Sequence, residues 1–192
     1  MRSLPNLLTF SRILMIPVFV GIHYLPVPWN HQVAALIFLM AAFTDWLDGY
    51  LARRMRLASP LGAFLDPVAD KLIVATALVL VVADDPNVWI TVSAAVIIGR
   101  EITISALREW MAELGRRGVV AVRWVGKFKT AAQMAAITLL VYRHDLFGLP
   151  TYRLGTLLLY VAVGLTLWSM TAYLVAAWPT LSAEKEKTGA GG

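Results

Sequence analysis

The stretch from residue 154 to residue 178 reads LGTLLLYVAVGLTLWSMTAYLVAAW and contains no charged side chain. A transmembrane α-helix needs about 20 consecutive apolar residues, so this stretch predicts a membrane span. The whole chain has 192 residues, of which 59% are hydrophobic, and its mean hydropathy is +0.69. An average soluble domain is about 45–50% apolar. The composition therefore predicts a membrane protein.

Five further apolar runs precede this stretch. Several are shorter than a span, and they reach the required length where their polar flanks continue as helix. The runs cover residues 13–25, 33–47, 72–83, 88–99 and 130–142. We therefore predict an all-α, polytopic membrane protein with six transmembrane helices, preceded by a short N-terminal juxtamembrane helix.

No linker divides the chain, so we expect one membrane domain over residues 1–180. Residues 181–192 are polar and end in glycines, which is typical of a disordered tail. The chain has no cysteine, which excludes disulfides and thiolate metal sites.

Positive charge is distributed unevenly between the two predicted sides of the membrane. Fifteen of the 17 Lys and Arg residues fall on one side, and only Arg143 and Arg153 fall on the other. By the positive-inside rule, both termini and the charged loops face the cytoplasm. The net charge of +5 therefore reflects topology and attraction to anionic lipid, and it does not favour nucleic-acid binding.

The connection between the second and third predicted spans carries four regularly spaced aspartates. Residues 45–70 read DWLDGYLARRMRLASPLGAFLDPVAD. Asp45 and Asp48 share one face of a helix, and Asp66 and Asp70 share another if that segment is helical. A short turn between the two segments would make them antiparallel neighbours. The four carboxylates would then converge at the cytoplasmic mouth of the two helices.

Clustered carboxylates repel one another unless a cation neutralises them. A divalent cation with oxygen ligands does this, and Mg²⁺ usually keeps positions open for phosphate oxygens. Gly49, Ala52 and Gly62 lie on the same faces and leave room for a ligand, while Arg53 adds a planar donor suited to phosphate. Each feature alone is typical of helix capping or close packing of helices. Together, in one register, they favour a divalent-metal site.

The pattern D-x₂-D-G-x₂-A-R-x₈-G-x₃-D-x₃-D is met without a departure from Asp45 to Asp70. In this pattern the chain resembles the CDP-alcohol phosphotransferases. Similarity to the bacterial phosphatidylglycerophosphate synthase branch of that family extends over residues 4–12, 43–54, 62–71, 99–115 and 125–134.

The resemblance implies transfer of a phosphatidyl group from CDP-diacylglycerol to sn-glycerol 3-phosphate, which gives phosphatidylglycerophosphate and CMP. It also implies Mg²⁺ or Mn²⁺, two ions per active site, a homodimer and a location in the bacterial inner membrane.

The resemblance further implies roles for single residues. Asp45, Asp48 and Asp66 are expected to hold a first metal, and Asp70 to join a second metal and act as general base. The residues expected to bind the CDP-lipid are Asn6, Thr9, Gly49, Ala52, Arg53, Ser59 and Gly62. For Asn6, simple N-capping of the first helix is the alternative.

A phosphate-bearing acceptor requires a second cationic site. We expect Arg100, Lys127 and Lys129 to bind that phosphate, with snorkelling of cationic side chains at the membrane surface as the alternative. Arg100 and Glu101 are adjacent, so their side chains should point about 100° apart on a helix and should not pair.

Three histidines, His23, His31 and His144, are expected near the outer side, away from the aspartates, and no metal role is expected for them. The aspartate pattern does not distinguish glycerol 3-phosphate from serine, inositol phosphate or phosphatidylglycerol as acceptor. Carboxylates in membranes also mark ion pathways, so a cation transporter is an alternative from another class. A purely structural membrane scaffold is the third.

Overall fold

The computed structural model describes residues 4–55, 60–113 and 123–189. Within these ranges, some helical positions are described by their backbone alone. These positions are 4–9, 45–46, 48–55, 60–64, 66, 123–127, 176–177 and 179–189. The described ranges contain six α-helices and no strand. The helices are α1 (Leu4–His23), α2 (Asn30–Met55), α3 (Pro60–Asp84), α4 (Val88–Glu113), α5 (Arg123–Tyr142) and α6 (Thr151–Gly189).

The prediction of an all-α fold is confirmed. Two of the described helices are long and apolar enough to cross a membrane, namely α4 and the part of α6 from Thr151 to Val175. Shorter apolar segments lie in three other helices, at Phe10–His23, Asn30–Thr44 and Phe128–Tyr142. That six helices span the membrane stays a prediction.

The two ends of the chain differ from the expectation. A single continuous helix, α1, replaces the predicted juxtamembrane helix and first span. No glycine or proline lies between Pro5 and Pro17, so nothing interrupts the backbone hydrogen bonds there. At the other end α6 continues to Gly189, through most of the predicted disordered tail. Ala183 and the glutamates and lysines at positions 184–187 have high helix propensity.

The helices alternate in direction along the chain, which gives the bundle two distinct ends. Arg12 of α1 contacts Asp70 of α3 at one end, and His23 of α1 contacts Asp84 of α3 at the other. These ends are named here the Asp70 end and the Asp84 end. The 14 residues from Asp70 to Asp84 correspond to roughly 21 Å at a rise of about 1.5 Å per residue.

The core lies between these ends. Large apolar side chains such as Phe19, Phe38 and Leu78 are fully buried beside small ones such as Ala34 and Ala77. Small residues allow helix axes to approach closely, which is the usual way that helices associate within a membrane. The close packing fixes α1, α2, α3 and α5 relative to one another, and thereby positions the polar side chains at both ends.

Candidate active site

The motif aspartates occupy the neighbouring ends of two helices. Asp45 and Asp48 belong to α2, while Asp66 and Asp70 belong to α3, so both segments are helical as the spacing predicted. The side chains of Asp45, Asp48 and Asp66 lie outside the described residues. Convergence of the four carboxylates therefore stays a prediction.

Most of the residues expected to bind the CDP-lipid, and one expected phosphate ligand, also have no described side chain. By backbone, Asn6 and Thr9 are in α1, and Lys127 is in α5. Gly49, Ala52 and Arg53 are in α2, and Gly62 is in α3. Ser59 lies outside the described residues altogether.

Asp70 is the motif aspartate whose contacts the structure describes. Its Oδ1 accepts a hydrogen bond of 2.7 Å from Nη1 of Arg12. The Arg12 side chain is 1% exposed, whereas that of Asp70 is 39% exposed. A guanidinium buried so completely needs an anionic partner, because desolvation of an isolated charge costs several kcal/mol. The pair therefore fixes the Asp70 carboxylate while leaving part of it accessible.

A cavity of about 580 Å³ lies in front of Asp70, between α2, α3, α4 and α5. Its volume is within the usual range of ligand pockets. Apolar wall residues include Ala41, Ile73 and Met134. The polar and charged wall residues are Asp70, Lys71, Arg100, Glu101, Ser105, Arg108, Glu109, Thr130 and Gln133.

Glu101 joins two of the cations that the sequence assigned to the phosphate site. Its Oε1 accepts a hydrogen bond of 2.6 Å from Nζ of Lys129 and one of 2.8 Å from Nη1 of Arg100. The Lys129 and Arg100 side chains are only 3% and 8% exposed. The structure thus brings Arg100 and Lys129 together on Glu101. Arg100 and Glu101 also line the cavity that contains Asp70.

The expectation that Arg100 and Glu101 would not pair was wrong. Their Cα–Cβ bonds point in different directions, but both side chains are long enough to meet. Lys129 extends from α5 and donates to Oε1 of Glu101. The flexible Arg100 side chain brings its guanidinium to the same oxygen. Neighbours on a helix can therefore pair when a third residue fixes one of them.

A second contact set anchors the cations to α6. The guanidinium carbons of Arg100 and Arg108 both lie 5.6 Å from the ring centre of Tyr173. Nη2 of Arg108 donates a hydrogen bond of 3.3 Å to the Tyr173 hydroxyl, and Nη2 of Arg100 donates one of 3.3 Å to Ser169. Cation–π contacts of this kind hold a guanidinium without neutralising its charge. Within the contact group of Arg100, Lys129, Arg108 and Glu101, three positive charges face one negative charge.

Sequence reasoning missed Arg12 and Tyr173 as parts of this site. A signal existed for Arg12, since no other Lys, Arg, Asp or Glu lies between Arg2 and Asp45. An isolated charge in an apolar helix usually has a specific partner. Tyr173 had no comparable signal, because it lies within an apolar run that contains other aromatic residues.

The histidines lie elsewhere, as expected. His23 and His31 contact Asp84 at the Asp84 end, so they are separated from Asp70 by most of the length of α3. They are therefore not part of the cavity at the Asp70 end.

The donors at the Asp70 end suit a hard divalent cation. Asp70 offers a partly exposed carboxylate at the cavity wall. The other three motif residues are also carboxylates, carried by the adjoining ends of α2 and α3. Oxygen ligands of this type are those preferred by Mg²⁺ and Mn²⁺.

Comparison with known proteins agrees with the family resemblance of the aspartate motif. The family model for CDP-alcohol phosphatidyltransferase matches residues 2–168. A protein of Pseudomonas fluorescens named CDP-diacylglycerol–glycerol-3-phosphate 3-phosphatidyltransferase is 54% identical over 187 residues, which cover 96% of this chain and 95% of that protein. Proteins of the same name from Escherichia coli (strain K12) and Shigella flexneri serotype 5b (strain 8401) are 54% identical over 175 residues, or 91% of this chain and 94% of each relative. The chain belongs to the CDP-alcohol phosphatidyltransferase family.

Proposed function

We propose that this chain transfers the phosphatidyl group of CDP-diacylglycerol to sn-glycerol 3-phosphate, giving phosphatidylglycerophosphate and CMP. The observation that carries the proposal is a cavity lined by the Asp70 carboxylate and by Arg100, Glu101 and Arg108 of α4, with Lys129 of α5 bound to Glu101. In this proposal Asp70 acts as the base and the cationic residues bind the phosphate of the same acceptor. The names of relatives that are 54% identical support the same substrates.

The donor side of the reaction rests on the aspartate motif. The family is generally dependent on a divalent metal. We assign Asp45, Asp48 and Asp66 to a first Mg²⁺ or Mn²⁺ and Asp70 to a second. When bound, the metals supply charge withdrawal at the diphosphate and stabilise the leaving phosphate. Gly49, Ala52, Arg53 and Gly62, with Asn6, Thr9 and Ser59, are assigned to the CDP moiety on the strength of the family resemblance.

Asp70 serves in this proposal as the group that orients the acceptor hydroxyl and accepts its proton. The hydroxyl oxygen forms a new bond to the phosphorus that carries diacylglycerol. The bond between that phosphorus and the bridging oxygen of the diphosphate breaks, and its electron pair leaves with CMP. Arg12 holds Oδ1 of Asp70 by its 2.7 Å hydrogen bond, so the carboxylate is oriented before the acceptor arrives.

The cationic group serves the phosphate of the acceptor. Arg108 is exposed at the cavity wall and can donate directly to a phosphate oxygen. Arg100 and Lys129 are buried against Glu101 and add positive potential behind it. Lys127 lies two residues before Lys129 in the sequence of α5 and is assigned to the same phosphate. A guanidinium contact would also favour the doubly charged phosphate of glycerol 3-phosphate over the singly charged carboxylate of serine.

We further propose that the Asp70 end faces the cytoplasm of a bacterial cell at its inner membrane, that six helices span this membrane, and that the enzyme is a homodimer. The excess of Lys and Arg on the predicted inner side supports the orientation.

An acceptor assay on the purified chain in detergent tests this function. Labelled glycerol 3-phosphate, serine, inositol phosphate and phosphatidylglycerol are each supplied with CDP-diacylglycerol, with and without Mg²⁺. We expect metal-dependent CMP release with glycerol 3-phosphate alone. Turnover of serine or inositol phosphate without turnover of glycerol 3-phosphate would refute the acceptor. Metal flux in proteoliposomes without any CDP-lipid turnover would instead favour a transporter.

A further inference from the structure

A second polar cluster lies at the Asp84 end, far from the proposed active site. It consists of His23 from α1, His31 from α2 and Asp84 from α3, and one ligand atom of each lies within 4.8 Å of the others. Nε2 of His23 is 3.1 Å from Oδ1 of Asp84, and Nδ1 of His31 is 3.9 Å from Oδ2. Three residues from three separate helices thus present nitrogen and oxygen atoms to one small volume.

The cluster is largely buried, and some of its polar atoms lack hydrogen bonds. The side chain of His23 is 2% exposed, and those of His31 and Asp84 are 20% and 19% exposed. Nδ1 of His31 is buried without a hydrogen-bond partner among the described residues, and Oδ2 of Asp84 forms an ion pair with Arg143 but accepts no hydrogen bond there. A buried polar atom left without a partner costs about 1–3 kcal/mol. A cation bound between these atoms would remove that cost.

We propose that His23, His31 and Asp84 form a binding site for a transition-metal ion of the zinc class. Imidazole nitrogens combined with one carboxylate are typical ligands of Zn²⁺, whereas Mg²⁺ prefers oxygen alone. Bonds of about 2.0–2.1 Å in a tetrahedral site place ligand atoms about 3.3 Å apart. The separation of 3.1 Å between Nε2 of His23 and Oδ1 is close to this value, and Nδ1 of His31 lies 3.9 Å from the other oxygen of the same carboxylate. Three protein ligands leave a fourth position for water.

The residues around the cluster hold the ligands in place. Nη1 of Arg143 lies 3.3 Å from Oδ2 of Asp84, and Nη2 donates to the Asp84 backbone carbonyl at 3.2 Å. Asn30 donates to the His23 carbonyl at 2.7 Å and accepts from the His31 amide at 2.8 Å. Ligands of metal sites are commonly oriented by such outer contacts. The ends of α1, α2 and α3 are therefore already aligned for a shared ion.

A metal bound here would join α1, α2 and α3 without touching the substrates. Its effect would be on the stability of the bundle, since an ion that binds the folded state alone shifts the unfolding equilibrium. This separates the site from the metals of the proposed reaction, which are required for turnover.

The experiment uses the full chain, purified in detergent, stripped with a chelator and dialysed against Zn²⁺. The background is the double variant Asp45→Asn/Asp66→Asn, which weakens the proposed active-site metals. Bound zinc is counted, the zinc X-ray absorption spectrum reports imidazole ligands, and thermal unfolding is measured with and without Zn²⁺.

We expect one zinc per chain, two imidazole ligands in the spectrum and a higher unfolding temperature with Zn²⁺. His31→Gln should abolish all three, while Asp145→Asn, an exposed aspartate at the same end, should change none. His31→Gln keeps a polar side chain at a partly exposed position, and its fold is checked by the unfolding transition of the metal-free protein. Zinc bound through oxygen ligands alone, zinc retained by His31→Gln, or no zinc bound to the background variant would each overturn the proposal.

Discussion

Nη1 of Arg12 and Oδ1 of Asp70 lie 2.7 Å apart and join α1 to α3 across 58 residues of sequence. The guanidinium is fully buried, whereas the carboxylate reaches the cavity. This asymmetry suits a positioning role, because the buried partner cannot follow the substrate and therefore keeps the exposed partner in one orientation. Arg12 does not line the cavity in this arrangement and is assigned no contact with the acceptor.

The first prediction follows from this pair. Arg12→Lys keeps the positive charge but replaces the planar fork with a single ammonium group. We expect kcat to fall by about tenfold or more, which corresponds to about 1.4 kcal/mol of transition-state stabilisation, with little change in either KM. Steady-state kinetics with both substrates provide the measurement. A fall in unfolding temperature with kcat unchanged would show that Arg12 serves the fold alone.

The second prediction concerns Asp70, the proposed general base. Asp70→Asn preserves the shape of the side chain but removes its ability to accept a proton. General-base catalysis is typically worth about 10²- to 10⁴-fold, so CMP release should fall by at least about 10²-fold. Asp145→Asn, which changes an exposed aspartate at the Asp84 end, is the matched control and should retain activity. Unchanged CMP release by a folded Asp70→Asn variant would exclude the assignment of Asp70 as base.

The third prediction concerns Glu101, which holds two buried cations. Glu101→Gln leaves Lys129 and Arg100 facing each other with no anion between them. Removing one partner of a buried ion pair costs about 3–5 kcal/mol, and we expect the lower end because Glu101 is 29% exposed. The free energy of unfolding in a denaturant series is the measurement. Glu113→Gln, an exposed change on the same helix, should stay within about 0.5 kcal/mol of the parent.

A double variant sharpens this test. Lys129→Met removes the buried ammonium, so its combination with Glu101→Gln should cost less than the two single changes added together. Additive losses would show that the two residues do not act as a pair.

The local pattern predicted the helices and part of the site. The apolar runs located all six helices, and the spacing of the aspartates correctly predicted that the segments carrying them are helical. Arg100 and Lys129 were selected as a cationic group, and the structure does bring them together. Periodicity along one helix identifies a face, and this information was sufficient for these features.

The contacts between helices could not be predicted from the sequence. The Arg12–Asp70 pair and the contact of Arg108 with Tyr173 join residues that are 58 and 65 positions apart. The partner of each depends on how the helices pack and rotate, which helical periodicity does not specify. The same holds for the histidines, which could be placed near one side of the membrane but not assembled around Asp84.

The fourth prediction separates acceptor binding from chemistry. Arg108→Gln should raise the KM for glycerol 3-phosphate by about 10- to 100-fold, because hydrogen bonds to charged groups contribute about 1.5–3 kcal/mol. The KM for CDP-diacylglycerol should not change, since Arg108 is assigned to the acceptor alone. Tyr173→Phe keeps the ring under both guanidiniums but removes the 3.3 Å hydrogen bond to Arg108, so its effect should be smaller.

The control for this set is Arg153→Gln, an exposed arginine at the Asp84 end. It removes the same charge from the protein without altering the cavity, and both KM values should be unchanged. Equal increases in the KM for both substrates with Arg108→Gln would indicate a general electrostatic effect instead of an acceptor contact.

The fifth prediction tests the packing that positions the site. A Cβ atom added at Gly155 of α6 would lie 3.0 Å from Cγ of Leu140, 3.1 Å from Cβ of Leu139 and 3.2 Å from the carbonyl oxygen of Ala136. The backbone oxygen cannot move aside without disturbing α5, so Gly155→Ala should destabilise the protein by about 1–3 kcal/mol.

Gly164 provides the matched control on the same helix, because an added Cβ would meet nothing within 4 Å. Both substitutions gain the same helix propensity of up to about 1 kcal/mol, so the difference between them isolates the contact with α5. Gly164→Ala should be neutral or slightly stabilising in thermal unfolding, and Gly155→Ala should lower the unfolding temperature. If the two variants unfold at the same temperature, α5 and α6 do not approach each other as closely at Gly155 as the structure has them.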